Sequence, residues 1–202
     1  MSTPAGYFDR MYAGARDPWR LASRWYEQRK YALTMASLTR LRYRSAFEPG
    51  CSVGTLTELL APRCEALLSV DRVPAAVEQA RSRIGPRPGV RLAVMAVPEQ
   101  WPDERFDLVV LSELGYYLDG AGLERLVAAS VAALEPGGEL VAVHWRHPVA
   151  EHALTGDEVS ARIAAAPGLS RLASHVEDDV VLDVHVRVPP APLSVAAREG
   201  LC

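Results

Sequence analysis

The chain has 202 residues, 49% of them hydrophobic and 23% charged, so it can bury one sizeable core and has the length of a single domain. Its formal net charge is −3 and its arginines are scattered, which argues against a nucleic-acid-binding surface. No stretch approaches the ~20 apolar residues that span a membrane. The three cysteines follow no metal-ligand spacing, so we expect no metal site and a reducing, cytoplasmic setting.

The N-terminal segment has helical character. Aromatic and aliphatic side chains recur at helical spacing over 9–42, which predicts one or two helices. Asp17 and Pro18 are typical of a helix start, with Asp17 as the N-cap and Pro18 in the first turn. We expect residues 1–44 to pack on the domain that follows. The aromatic residues of this segment could serve only that packing, or they could cover a ligand.

From residue 45 onward, short apolar runs alternate with helical patterns, which predicts a mostly parallel sheet with helices on both faces. Right-handed crossovers would place the carboxyl ends of these strands at one edge. Three acids that end strands, Glu48, Asp71 and Glu113, are therefore expected to share a rim. The predicted strands are 45–49, 67–71, 90–95, 106–112 and 138–144, and the predicted helices are 54–62, 74–84, 120–134 and about 157–165.

The end of the chain predicts a hairpin and a tail. Two apolar runs, 169–177 and 180–188, flank the polar turn Glu177-Asp178-Asp179, as in a hairpin. The prolines that follow from Pro189 interrupt regular structure. We therefore expect the domain to span 45–188 and residues 189–202 to form a mobile tail.

A glycine-containing loop follows the first predicted strand. Gly50 and Gly54 can adopt positive φ and, lacking a Cβ, allow a ligand to approach the backbone closely. Their Gly-x-x-x-Gly spacing differs from the Gly-x-Gly-x-x-Gly of dinucleotide-binding loops, so a ligand without a pyrophosphate fits better. Asp71 ends the next strand about 20 residues later, where such units hold a ribose. An ordinary tight turn is the alternative explanation of the glycines.

Four ordered motifs resemble those of class I S-adenosylmethionine-dependent methyltransferases. They are Glu48-x-Gly50-x-Ser52-x-Gly54, Asp71, Phe106-Asp107-Leu108-Val109-Val110-Leu111-Ser112-Glu113, and Leu134-Glu135-Pro136-Gly137-Gly138. A narrower set is similar to the nodulation-protein S (NodS)-like branch: Asp17-Pro18-Trp19, Trp25-Tyr26-Glu27-x-x-Lys30-Tyr31, and Ser112-Glu113-Leu114-Gly115-Tyr116-Tyr117-Leu118.

The resemblance covers most of residues 7–188 and implies a Rossmann-like α/β fold. Its sheet would have seven strands, the last one antiparallel, with an N-terminal helical lid over the cofactor. The implied cofactor is S-adenosylmethionine, and the implied reaction is N-methylation of an amine on a small polar molecule such as an amino sugar. The branch itself is associated with N-methylation of a deacetylated chitooligosaccharide.

The resemblance also implies cofactor contacts. Trp19 and the cluster from Arg29 to Tyr31 would lie over the methionine end, where a cation could meet the carboxylate. Arg29 could equally be a solvated surface charge. Glu99 is the only acid near the expected adenine position. We therefore expect apolar side chains and a backbone amide to contact the adenine. The expected cofactor-binding residues are Trp19, Arg29, Glu48, Gly50, Cys51, Gly54, Asp71, Arg72, Ala96, Val97 and Ser112.

Methyl transfer to an amine requires alignment of the reacting atoms and a neutral nitrogen. Glu113 is the first candidate to accept the proton or stabilise the ammonium product, although it could instead only bind the ligand. Tyr117, and equally Tyr116, could offer a hydroxyl or a π face to a cation. His144 and His147 lie where the fifth strand ends, at the same rim, and could act as proton acceptors, although His144 could instead face the core.

Other functions stay open at this point. An O-methyltransferase would depend more on one of these histidines, and a nucleoside-binding protein without turnover would need neither. Ser160 stands where we expect a histidine in this branch, which weakens the substrate assignment more than the cofactor assignment.

Overall fold

Seven strands form one sheet in the computed structural model, which describes residues 1–202. The spatial order is β3-β2-β1-β4-β5-β7-β6. Strands β1 to β5 pair in parallel, and β7 lies antiparallel between β5 and β6. The predicted seven-stranded sheet with an antiparallel last strand is therefore confirmed. The strands are β1 Tyr43–Pro49, β2 Cys64–Asp71, β3 Val90–Val94, β4 Phe106–Ser112, β5 Leu134–Trp145, β6 Leu169–Val176 and β7 Val180–Arg187.

Seven α-helices accompany the sheet, and their starts follow local sequence signals. Helix α4 has Pro74 at its first position, and the Asp119 side chain caps α5 by accepting from the N–H of Gly122. Thr155 and Glu158 form the predicted capping box of α6. No helix is both long enough and apolar enough to cross a membrane. The helices are α1 Ala5–Gly14, α2 Trp25–Ser37, α3 Thr55–Leu60, α4 Pro74–Ile84, α5 Gly120–Ala133, α6 Gly156–Ala164 and α7 Val195–Arg198.

The predicted helix start at Asp17 is wrong. Its carboxylate does accept backbone N–H groups, from Leu21 and Ala22, but these bonds close a turn and not a helix. Arg20 has a φ of 58°, which a right-handed helix excludes. Helix α2 begins only at Trp25.

The central strand β4 has a buried side chain on each face of the sheet at almost every position. Leu108 and Val110 pack with residues of α2 and α3, whereas Val109 and Leu111 pack with residues of α5 and α6. Helices on both faces explain why β4 is a continuous apolar run without alternation. The same packing fixes the carboxyl end of β4 beside that of β1.

The segment after β7 contains one short helix, α7. Within it, Arg198 lies 2.9 Å from Oε1 of the buried Glu139 and donates to the hydroxyl of Thr39. Although burial alone would raise the pKa of Glu139, hydrogen bonds from Thr39, Tyr43 and Arg198 hold it below its ordinary value. The mobility of 189–202 and the domain boundary at 188 stay predictions.

Candidate active site

A cavity of about 160 Å³ lies at the carboxyl ends of β1, β2 and β4. The opposite wall comes from α1, from the turn at 17–21 and from α2. Both the sheet edge and the N-terminal segment therefore build the site. Of the 22 lining residues 13 are hydrophobic, and those that carry chemistry are Tyr12, Trp19, Glu27, Glu48, Cys51, Ser52, Asp71, Arg72, Ser112, Glu113, Tyr116 and Tyr117.

The loop after β1 forms part of the cavity wall through Gly50, which has a φ of 77°. The N–H groups of Gly50 and Cys51 both donate to the carbonyl of Val70, at 2.7 and 2.9 Å. The N–H of Ser52 donates to Asp71. These three N–H groups already donate hydrogen bonds within the protein. The loop can therefore contact a ligand through its surface, but these groups are not free to donate to it.

Gly54 does not line the cavity, contrary to the expected cofactor contact. Its φ is 78°, and a Cβ at this position would lie 2.9 Å from Cβ and 3.0 Å from Cα of Ala80. A Cβ contact below 3.0 Å is essentially never found, so α4 would have to shift to accept a side chain here. Gly54 is therefore required for the close packing of α3 against α4.

Two buried carboxylates lie at the carboxyl ends of β1 and β2. Asp71 accepts the N–H of Ser52 through Oδ2 at 3.0 Å and that of Val73 through Oδ1 at 2.9 Å. Burial raises the pKa of Asp71, and these bonds oppose the rise. Glu48 accepts the hydroxyls of Thr57 and Ser69 through Oε2, and burial raises its pKa to about 7.

Glu113 directly follows β4 and lines the cavity, and its φ is 56°. Positive φ is strained for a non-glycine residue and is concentrated at functional sites. Its Oε1 accepts the N–H of Trp145 at 2.9 Å, and its Oε2 accepts the hydroxyl of Tyr116 at 2.6 Å. The ammonium of Lys30 lies 3.5 Å from the same Oε2. Tyr117 also lines the cavity and packs edge-on against Phe8.

Neither histidine reaches the cavity, so the expected placement at the rim is wrong for both. His144 is 1% exposed, and its Nε2 accepts the N–H of Gly115 at 3.1 Å. Burial lowers the pKa of His144 to about 4, so it is neutral at physiological pH. His147 is an exposed residue with Nε2 2.7 Å from Asp179. His144 lies within β5, and its side chain points into the protein.

Two expected cofactor contacts also lie elsewhere. Arg29 is half exposed, and both of its terminal nitrogens lie 2.6 Å from the carboxylate of Glu177. The N–H of Ala96 donates to the side chain of Gln100 at 2.8 Å, so it is not free for an adenine. Val97 and Met95 do line the cavity beside it.

Sequence comparison identifies the family. The profile described as Nodulation protein S (NodS) matches residues 8–162. This chain belongs to the NodS family. Nodulation protein S of Rhizobium tropici is 37% identical over 129 residues, which are 63% of this chain and 54% of that protein. The homologue from Sinorhizobium fredii strain NGR234 is 36% identical, and the match covers 63% of this chain and 60% of the homologue. The chain thus spans little more than half the length of these curated NodS relatives.

Solved structures confirm the Rossmann-like class I methyltransferase fold. The chain superimposes on N-methyltransferase NodS from Bradyrhizobium japonicum WM9, solved in complex with S-adenosyl-L-homocysteine, with a TM-score of 0.81 and 25% identity. That match covers 92% of this chain and 98% of the other. A candidate methyltransferase from Pseudomonas syringae is 47% identical, with a TM-score of 0.73, and covers 81% of this chain and 100% of the other.

Several site residues of this NodS-family chain were not predicted from its sequence. Phe8 and Tyr12 of α1 line the cavity, as does Glu27 of α2. The hydroxyls of Tyr12 and Ser52 are 2.5 Å apart, which joins α1 to the glycine loop. The i, i+3 spacing of Glu27 and Lys30 on a helix is the sequence signal that could have indicated their ion pair. Ser160, by contrast, donates to Asp183 at 2.5 Å and lies outside the cavity lining.

Proposed function

We propose that this chain is an S-adenosylmethionine-dependent N-methyltransferase that acts on an amine of a small polar molecule, such as an amino sugar. The observation that carries the proposal is one cavity lined by Gly50, Asp71 and Glu113, the three motif positions expected to hold nucleoside and substrate. The likeness to N-methyltransferase NodS in complex with S-adenosyl-L-homocysteine supports it.

The residues around the cavity fit an adenosyl group. A carboxylate has about four acceptor positions, and Asp71 uses only two of them for backbone amides, which leaves capacity for a ribose diol. Met95 and Val97 provide apolar contact suited to a purine. Gly50 leaves room beside Leu114, since a Cβ there would meet that side chain at 3.3 Å.

The bound cofactor would supply an electrophilic methyl group on a sulfonium. The protein's part is to align the amine with it and exclude water, which can contribute roughly 7–11 kcal/mol in favourable cases. The Glu113 carboxylate can stabilise the positive charge of the substituted ammonium. Because His144 and His147 do not line the cavity, an O-methyltransferase would lack the histidine base it was expected to use.

Calorimetry tests the cofactor assignment. We expect saturable binding of S-adenosyl-L-homocysteine and a loss of about 1–3 kcal/mol in affinity for Asp71→Ala, because a charged acceptor is removed. The exposed Asp103→Ala is the matched control and should bind as the unmodified protein does. Absence of saturable binding at millimolar ligand would refute the cofactor assignment.

Mass spectrometry of products tests the reaction. Incubation with the methyl donor and a panel of amines and alcohols should add one methyl mass to amines alone. Methylation of the alcohols alone would replace N- by O-transfer. Binding without any turnover across the panel would favour the nucleoside-binding alternative.

A further inference from the structure

A fully buried lysine joins two carboxylates of the cavity wall. Lys30 on α2 is 1% exposed, and its Nζ lies 2.7 Å from Oε2 of Glu27 and 3.5 Å from Oε2 of Glu113. Both glutamates line the cavity, although they come from α2 and from the end of β4. Lysine is rarely buried unless it is paired, so this arrangement holds the two acids together.

The two carboxylates differ in what already binds them. Glu113 accepts a backbone N–H through one oxygen and the Tyr116 hydroxyl through the other, in addition to its contact with Lys30. Glu27 has Lys30 as its ionic partner, and its buried Oε2 has no hydrogen-bond partner. Glu27 therefore keeps acceptor capacity at the cavity, whereas Glu113 is held rigidly.

The cluster holds two carboxylates and one ammonium. Arg24 is a further cation that acts on Glu27, whereas Tyr26 and Tyr31 are neutral phenols whose ring centroids lie 5.4 and 5.5 Å from Nζ of Lys30. A substrate cation in the cavity would face the carboxylates of both Glu27 and Glu113. Burial raises the pKa of Glu27, Glu113 raises it further, and Lys30 opposes the rise, with Arg24 also lowering it. A raised pKa brings a carboxyl closer to the pH at which it works as a base.

We propose that Glu27 accepts the proton of the substrate ammonium, that Glu113 holds the amine, and that Lys30 is the positioning residue for both carboxylates. This inference rests on the proposed N-methyltransferase function. One N–H bond of the ammonium breaks, its proton bonds to a Glu27 oxygen, and the electron pair stays on nitrogen. That pair forms the new N–C bond while the S–C bond breaks, and the S–C electron pair remains on sulfur.

The kinetic experiment uses the purified full chain with saturating S-adenosylmethionine and glucosamine as the probe amine. We expect Glu27→Gln to lower kcat/KM by about 100-fold or more at acidic pH, where glucosamine is almost wholly an ammonium ion, which is the usual contribution of a general base. Affinity for S-adenosyl-L-homocysteine should stay within about twofold. Activity should recover at alkaline pH, where glucosamine is neutral without help. The exposed Glu124→Gln is the matched control.

The other two variants separate proton transfer from positioning. Glu113→Gln should lower turnover but keep the acidic limb of the pH profile. Lys30→Met should move that limb to higher pH, because Lys30 holds the pKa of Glu27 down. The proposal would be overturned if Glu27→Gln kept the kcat/KM of the unmodified protein and the same acidic limb of the pH profile. It would also be overturned if Glu113→Gln alone abolished that limb.

A carbon-13 NMR titration of the glutamate carboxyls gives a readout without turnover. The Glu27 signal should titrate above its ordinary pKa and move upward again in Lys30→Met. A Glu27 signal unaffected by Lys30→Met would overturn the inference while leaving cofactor binding intact. Failure of the unmodified chain to methylate any amine would instead refute the proposed function, before any variant is compared.

Discussion

Glu48 gives a stability prediction that depends on pH. Its side chain is 3% exposed beneath the glycine loop, and its Oε2 accepts hydroxyls from Thr57 at 2.6 Å and Ser69 at 2.7 Å. Burial raises its pKa from 4.5 to about 7, and the two hydroxyls only partly oppose this. The perturbation is Glu48→Gln, which keeps an amide oxygen for both hydroxyls and removes the ionisation.

Proton linkage determines whether stability rises or falls with pH. The folded protein holds the Glu48 proton more tightly than the unfolded chain does. The resulting stabilisation is therefore fully present below pH 4.5 and is lost as the pH rises through about 7. At about 1.4 kcal/mol for each pH unit, the whole effect is roughly 3 kcal/mol, and about 2.5 kcal/mol of it is lost between pH 5 and pH 8.

Urea denaturation followed by tryptophan fluorescence measures this effect. We expect Glu48→Gln to gain about 2.5 kcal/mol relative to the unmodified protein between pH 5 and pH 8, since all other titrating groups are shared. The exposed Glu78→Gln should show no such gain. A difference between variant and unmodified protein that is the same at both pH values would refute the reasoning.

Three further predictions concern residues whose roles the structure changes. Gly54→Ala should lower the free energy of unfolding by about 1–3 kcal/mol through backbone strain, and by more through its contact with Ala80. In urea denaturation, the double variant Gly54→Ala/Ala80→Gly should therefore recover part of that loss. Arg29→Ala should leave calorimetric affinity for S-adenosyl-L-homocysteine unchanged, and a tenfold loss would contradict its assignment to a surface ion pair. His144→Phe leaves the buried N–H of Gly115 without its acceptor and should cost about 1–3 kcal/mol in thermal or urea unfolding, without moving the pH profile of turnover.

The sheet could be predicted because local sequence determines it. Apolar runs of strand length, separated by helical patterns, require helices on both faces, and right-handed crossovers then place the strand ends together. Asp71 and Glu113 were accordingly expected at one edge, and both line the cavity. Asp17 was predicted wrongly because a residue that caps a helix can also close a turn, and only the φ of Arg20 distinguishes the two.

The parts of the site that could not be predicted depend on packing between distant segments. Gly54 was recognised as a residue with positive φ, but its contact with Ala80 exists only once α3 and α4 are packed. His144 was expected at the rim, but its side chain is buried and accepts the N–H of Gly115, a contact that forms only once β4 and β5 are paired. Arg29 and Lys30 are adjacent in sequence, yet helix geometry directs one to the surface and the other into the protein.

The burial of Lys30 links the docking of α2 to the chemistry of the site. An unpaired ammonium in the protein interior would be costly, and the structure pairs it with one carboxylate from its own helix and one from the end of β4. Docking of α2 against the sheet brings the second carboxylate, that of Glu113, to the buried ammonium. The same ion pair fixes Glu27 and Glu113 on one side of the cavity. Helix α2 is therefore a wall of the cavity, and its docking brings together the two carboxylates proposed to receive the substrate amine.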